Sequence, residues 1–276
     1  MKAGYFGPRG TFTHQAAAEV FKESEIQPYD TIFQVLMAVE EGELDFGIVP
    51  IENSTEGTVN ATVDALIFDL NLYIQKLVIL PIRQNLAVKS GNDLAALKTI
   101  YSHPHALAQC RRYLYDNYRN VPAVAAPSTA AAAKQVSESS EPIAAICPEM
   151  AAKVYGLEVA ASAIQDSEIN FTEFIVVGKK STEQPIADEN YKTTICFSTV
   201  HEPGSLYKLL DILSIWDVNM SRIVSRPMRG RPNEYVFYID LEKADEYKDL
   251  QDALVMLKRK TSFFKILGSY PVVDRR

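Results

Sequence analysis

Hydrophobic and polar positions change period repeatedly along the chain. From residue 1 to 178, short β-branched or aromatic runs alternate with longer stretches of helical periodicity, the pattern of an α/β layer architecture with mostly parallel strands. The spacing predicts a strand over 2–6, a loop over 7–10 and a helix over 11–22, with Thr11 or Thr13 available to cap it. A strand over 46–50 and a polar loop over 52–57 lead into a helix over 58–70, whose apolar stripe is Val59, Val63, Leu66, Ile67 and Leu70. Further strands are predicted over 99–102, 121–126 and 143–147. Helices are predicted over 105–118, 128–137 and 148–155, where Pro148 suits a first helical turn. A strand over 170–177 closes this unit.

Residues 179–192, KKSTEQPIADENYK, are polar, contain Pro185 and lack apolar periodicity, as a linker does. The pattern that follows reads strand 193–199, helix 204–215, strand 219–228, strand 234–241, helix 244–260 and strand 264–273. That order is the ferredoxin-like βαββαβ plan, with Pro232 and Asn233 supplying the turn of its central hairpin. Two domains are therefore expected, over 1–180 and 193–276.

With 276 residues, 47% of them hydrophobic, the chain can bury a sizeable core. A net charge of -7 offers no general attraction to nucleic acid or anionic membrane, which seek a basic face. The opening MKAGYFGPRG has neither the apolar core of a secretory signal nor a membrane span, so a cytoplasmic location is expected. Cys110, Cys147 and Cys196 are odd in number, far apart and set in apolar or helical stretches, which predicts buried thiols and no disulfide framework.

Single polar clusters leave alternatives open. Gly7-Pro8-Arg9-Gly10 before a helix could cradle an anion or simply turn the chain. Glu52-Asn53-Ser54 after a strand end serves equally as turn, cap or site. His103 and His105 have a spacing that metal ligands could use, but Pro104 and the lack of nearby carboxylates favour helix entry, and no metal is expected. On a strand over 170–174, Asn170, Thr172 and Phe174 share one face.

Combined and in this order, GlyProArgGlyThrPhe (7–12), ValProIleGluAsnSer (49–54) with Gly57, Val59 and Asp64, SerHisProHisAlaLeuAlaGlnCys (102–110) and AsnPheThrGluPhe (170–174) resemble the signature segments of prephenate dehydratases. GluProGlySerLeuTyr (202–207) and SerArgPro (225–227) resemble the ACT domain found downstream in that family. With no chorismate mutase segment before Met1, the resemblance is to the monofunctional form. It implies a two-lobed clamshell catalytic domain, like type II solute-binding proteins, over 1–180, and an ACT regulatory domain over 193–276. The implied reaction converts prephenate to phenylpyruvate, water and carbon dioxide without a cofactor. Arogenate dehydratase and a non-catalytic aromatic-acid sensor are the alternatives.

The resemblance also assigns residues. Thr172, Asn53 and Ser54 are expected to be catalytic, with Thr11, Thr55, Phe174 and Arg9 binding substrate. Pro203, Gly204, Ser205, Leu206, Asn219, Ser225, Arg226 and Pro227 are expected to bind L-phenylalanine between two ACT domains, which implies a homodimer or homotetramer. The sequence departs from the family pattern at Glu173, usually arginine, at His105, usually glutamine, and at Val224, usually glutamate. Strand alternation places Glu173 on the face away from the cleft.

Overall fold

The computed structural model describes residues 1–180, 190–242 and 248–276. Most of the expected linker, and the start of the helix expected from 244, therefore lie outside the described residues. The first lobe comprises β1 (Ala3–Phe6), α1 (Phe12–Ala18), β2 (Ile26–Tyr29), α2 (Ile32–Glu41), β3 (Phe46–Asn53), β4 (Gly57–Thr58), α3 (Asn60–Asp64) and β5 (Tyr73–Pro81). The chain then crosses into a second lobe of β6 (Asn85–Val88), β7 (Thr99–Ser102), α4 (Pro104–Gln109), α5 (Arg111–Tyr118), β8 (Ala123–Ala125), α6 (Thr129–Glu138), β9 (Ile143–Cys147), α7 (Glu149–Val154) and β10 (Glu158–Ala161). It returns through β11 (Phe171–Gly178), which lies antiparallel between β3 and β5.

The sheets are mixed, which corrects the expectation of mostly parallel strands. Pairs β1–β2, β1–β3, β7–β8 and β7–β9 are parallel, as right-handed crossovers demand. The antiparallel pairs arise where the chain passes between lobes: β5 leaves and β11 returns beside it, and β6 and β10 pair likewise in the second lobe. The predicted helix over 105–118 is broken at Cys110, where the Asp166 carboxylate accepts from the Arg112 backbone N–H (3.1 Å) at the start of α5. Pro148 stands one position earlier than expected, as the N-cap of α7. The helix predicted over 58–70 ends in a wider, π-type turn over 65–69.

The C-terminal unit follows the βαββαβ order, as β12 (Tyr191–Thr199), α8 (Ser205–Ile215), β13 (Met220–Pro227), β14 (Tyr235–Leu241), α9 (Lys248–Lys260) and β15 (Phe264–Asp274). Its strands are arranged β13-β14-β12-β15. One face packs on its own helices through Ile195, Phe197, Leu209, Leu213, Leu254 and Leu257. The other joins the first lobe: Cys196, Val236, Tyr238, Leu267 and Tyr270 share one core with Val49, Ile51, Leu66 and Ile79. β15 unites the two sheets, pairing antiparallel with β12 and then, over Val272–Asp274, parallel with β5. Gly268 makes that crossing possible. Its φ is +143°, and an added Cβ would collide with the Ile74 carbonyl oxygen.

Cations of the C-terminal unit also grip the 60–70 segment. Arg226 forms a bidentate pair with Asp64 (2.5 and 2.6 Å), Arg229 pairs with Asp69, and the Lys265 Nζ donates to the Leu66 and Leu70 carbonyls (2.7 and 2.6 Å). The last is the favourable placement of a cation at a helix C-terminus.

Candidate active site

Loops after the C-terminal ends of the parallel strands meet across the gap between lobes, the usual place for a ligand in open α/β sheets. The Tyr155 hydroxyl donates to the Arg9 carbonyl (3.4 Å), and Gly10 lies so close to α7 that an added Cβ would sit 2.9 Å from the Ala151 Cα. Elsewhere along the gap His105 Nδ1 lies 3.4 Å from a Glu56 carboxylate oxygen. Two cavities, of about 640 and 520 Å3, flank the hinge. The first is lined by Pro81, Arg83, Asn170, Phe171 and Arg276, the second by Phe12, Gln15, Arg83, Glu149 and Ser162.

At the end of β3, against the start of β11, a polar cluster brings together residues more than a hundred positions apart in sequence. The Asn53 amide donates to Thr172 Oγ1 (2.8 Å), Asn170 Oδ1 (3.0 Å) and the Phe171 carbonyl (3.1 Å). Its own oxygen accepts from the backbone N–H groups of Thr55 and Glu56 (both 2.9 Å), fixing the 53–56 turn. Ser54 Oγ accepts from the Phe171 N–H (3.0 Å) and donates toward the Ile169 carbonyl and Asn170 Oδ1 (both 3.3 Å), while Thr55 Oγ1 donates weakly to Asn170 Oδ1 (3.4 Å). Asn53 and Ser54 are thus spent on protein partners. Two donors remain: among the described residues no group accepts the Thr172 hydroxyl proton or the Asn170 amide protons. Both residues are nearly buried, at 9% and 7% exposure, and Asn170 lines the first cavity, where its amide protons are open to a ligand.

Residues 3–182 match the family model described as prephenate dehydratase. The prephenate dehydratase of Lactococcus lactis subsp. cremoris is 40% identical over 275 residues, covering 99% of this chain and 98% of that protein. The chain belongs to the prephenate dehydratase family. Its reaction class is accordingly that of a lyase. Among solved structures, prephenate dehydratase from Arthrobacter aurescens in complex with L-Phe superposes with a TM-score of 0.89 at 35% identity, covering 98% of this chain and 90% of that one. GqqA, described as a novel type of quorum quenching acylase, superposes with a TM-score of 0.88 at 27% identity, covering 99% of this chain and 98% of that one.

Several residues expected to touch ligand are otherwise engaged. Thr11 caps α1, accepting from the His14 N–H (3.2 Å) and donating to the Pro8 carbonyl (3.0 Å). The Arg9 guanidinium is exposed and held by Glu23 (2.5 Å), which also meets the buried His14 ring (3.0 Å). Burial raises the Glu23 pKa, but His14 and Arg9 more than offset this and hold it below its ordinary value. Phe174 lies on the Thr172 face but is fully buried among Tyr5, Ile48 and Val78, so it supports the cleft floor from beneath rather than lining a pocket. Arg226, expected at the effector site, faces the first lobe instead, locked to Asp64 and Asn60. Alternation along β13 turns it away from the exposed Ser225 and Pro227.

The other chemistry-bearing groups are quiet. Burial pushes the Cys110 and Cys147 thiols up to about 12 and Cys196 higher still, leaving negligible thiolate at neutral pH. Among the described residues no group of His, Cys, Asp and Glu has the arrangement to hold a metal, and no helix is long and apolar enough to cross a membrane.

Sequence reasoning missed the basic partner of Glu52. Arg222 of β13 reaches into the first lobe, with Nε 2.6 Å from Glu52, Nη1 3.0 Å from Asp240 and Nη2 paired with Glu173. Burial alone would weaken its charge, but Asp240, Tyr238, Glu173 and Glu52 more than offset this and push its pKa further up. Burial raises the Asp240 pKa, opposed by Arg222 and by a hydrogen bond from Thr194 (2.6 Å). Glu173 therefore does face away from the cleft, toward a cation that alternation along a half-exposed strand does not disclose.

Proposed function

We propose that this chain is a cytoplasmic enzyme that converts prephenate to phenylpyruvate, water and carbon dioxide. The observation that carries this reading is the Thr172 hydroxyl, fixed by Asn53 with its own proton uncommitted. Prephenate is a non-aromatic ring diacid, and aromatisation drives loss of its ring carboxylate and ring hydroxyl. The protein needs to hold the carboxylates, donate to the departing oxygen and exclude water. Thr172 donates to that oxygen in concert with carboxylate loss, since a free hydroxyl is too weak an acid to give up its proton outright. Asn53 and Ser54 position Thr172 and the turn, Thr55 borders the site and leans on Asn170, and the Asn170 amide supplies donors for the substrate. Arg9 and Thr11 lie at the cleft edge, their side chains engaged with the protein.

Residues 1–180 form the catalytic domain in this reading, a two-lobed clamshell, and 193–276 an ACT domain that binds L-phenylalanine. Pro203–Leu206 lie level with Ser225 and Pro227, because Pro227, Tyr235 and Thr199 are register partners. Asn219 stands just before the opposite end of β13, eight residues from Pro227 and so about 26 Å away at the strand rise of about 3.3 Å per residue. An effector site using Asn219 with Pro203, Gly204, Ser205 and Leu206 must then draw on two chains, which supports a homodimer or homotetramer. Added L-phenylalanine should raise the melting temperature and lower turnover, and Asn219→Ala should weaken both responses.

A carboxylate at 173, where the family usually has arginine, would favour a sensor if it lined the cleft; the pairing of Glu173 with Arg222 speaks against that. Incubating the purified chain with prephenate and, separately, with arogenate tests the assignment. Phenylpyruvate from prephenate is expected. Phenylalanine formed from arogenate at the higher kcat/KM would make it an arogenate dehydratase, and product from neither would make it a sensor.

A further inference from the structure

Two neighbouring cross-strand pairs stand at the junction of β3 and β11. Thr172 faces Asn53, and the next pair, Glu173 and Glu52, brings two carboxylates directly opposite one another. Like charges so placed push strands apart. Arg222 lies between them, touching both, and it comes from the C-terminal unit. It is only 8% exposed. Its remaining nitrogen reaches Asp240, itself anchored through Thr194 to the Tyr270 hydroxyl (2.5 Å).

We infer that Arg222 is a positioning residue for the reaction. It bridges the Glu52–Glu173 pair, offsetting their repulsion, and so holds the adjoining Asn53–Thr172 pair in register, making the geometry of the hydroxyl donor depend on how the C-terminal unit is docked. The inference rests on the reading of Thr172 as the donor. Any ligand that shifts β13 relative to the first lobe acts on Thr172 through this guanidinium. Asp64 and Asn60 grip Arg226 on the same face of β13, so a shift of the strand moves both contacts together.

Without Arg222, the facing carboxylates relieve their repulsion by sharing a proton. The charged or titratable groups around them are Asp240 and Tyr238 of β14, Tyr270 and Arg276 at the C-terminal end, and Lys192 of β12. The signature of the positioning role is therefore kinetic and pH-dependent. In the full-length chain, Arg222→Met should lower kcat for prephenate at least tenfold, with a smaller change in KM. Its kcat should recover as pH falls from 8 toward 5.5, a component the parent lacks.

Arg222→Lys should keep more of the activity than Arg222→Met. Arg222→Met/Glu173→Gln should regain part of the lost kcat at pH 8, because the Glu52–Glu173 repulsion is gone, and should shrink the pH-dependent component, although Asp240 is still left without its cation. That double variant also serves if Arg222→Met does not fold. The inference is overturned if Arg222→Met keeps the parent kcat, if its loss is accounted for by the unfolded fraction alone, or if the double variant recovers nothing. Thr172→Val measured alongside separates the two readings: full activity in Thr172→Val defeats the donor assignment, whereas an impaired Thr172→Val beside a fully active Arg222→Met defeats only the coupling.

Discussion

At the scale of single residues, the account turns on which hydrogen-bonding groups are spent and which are free. Asn53 has satisfied all its capacity, and Thr172 has accepted one bond without giving one. Thr172→Val, nearly isosteric but without the hydroxyl, should lower kcat by roughly a hundredfold or more, the cost of one preorganised transition-state donor. Thr172→Ser should retain most of the activity. Steady-state kinetics with circular dichroism as a folding control checks both. Asn53 and Thr172 were legible because their motifs are dense, whereas Arg222 was not. An arginine in the alternating run MetSerArgIleValSerArgPro reads as solvated, and only the docking of β13 shows Arg222 buried. Glu173 and Val224, two of the departures noted in the sequence, prove to face the same interface: Val224 packs on the shared core, two residues along the strand from Arg222.

Among elements, the βαββαβ order of the C-terminal unit was readable because its strands are short β-branched or aromatic runs and each helix has one apolar face. The first lobe was read less completely. α2 carries a capping box, Thr31 with Gln34, and ends at Gly42 with φ +82°, signals present in the sequence that were passed over. β5 was passed over as well; buried on both faces, such a strand is a continuous apolar run rather than an alternating one. The dual pairing of β15 had no local signal at all, since a strand that changes partners midway differs from an ordinary one only in a glycine. Gly268→Ala places a Cβ against the Ile74 carbonyl at a left-handed φ. It should cost about 2 kcal/mol or more, through backbone strain and overpacking, measured as a shift in the denaturant midpoint at unchanged slope.

For the whole molecule, the two units are less separable than the polar linker suggests. A chain ending at Lys180 would expose the shared core around Val49, Ile51 and Leu66, strip β15 from β5, and leave Glu52 and Glu173 facing each other without Arg222. Such a truncated chain should unfold at markedly lower denaturant and show little turnover. Retention of parent stability and kcat would instead establish independent domains. The central claim is that the intact chain turns prephenate into phenylpyruvate using the Thr172 hydroxyl. Following phenylpyruvate formation by the full-length protein and by Thr172→Val, at equal folded concentration and saturating prephenate, tests it most directly. The account predicts rapid turnover by the parent and a loss of about a hundredfold in the variant; no phenylpyruvate from the parent, or equal rates from both, would contradict it.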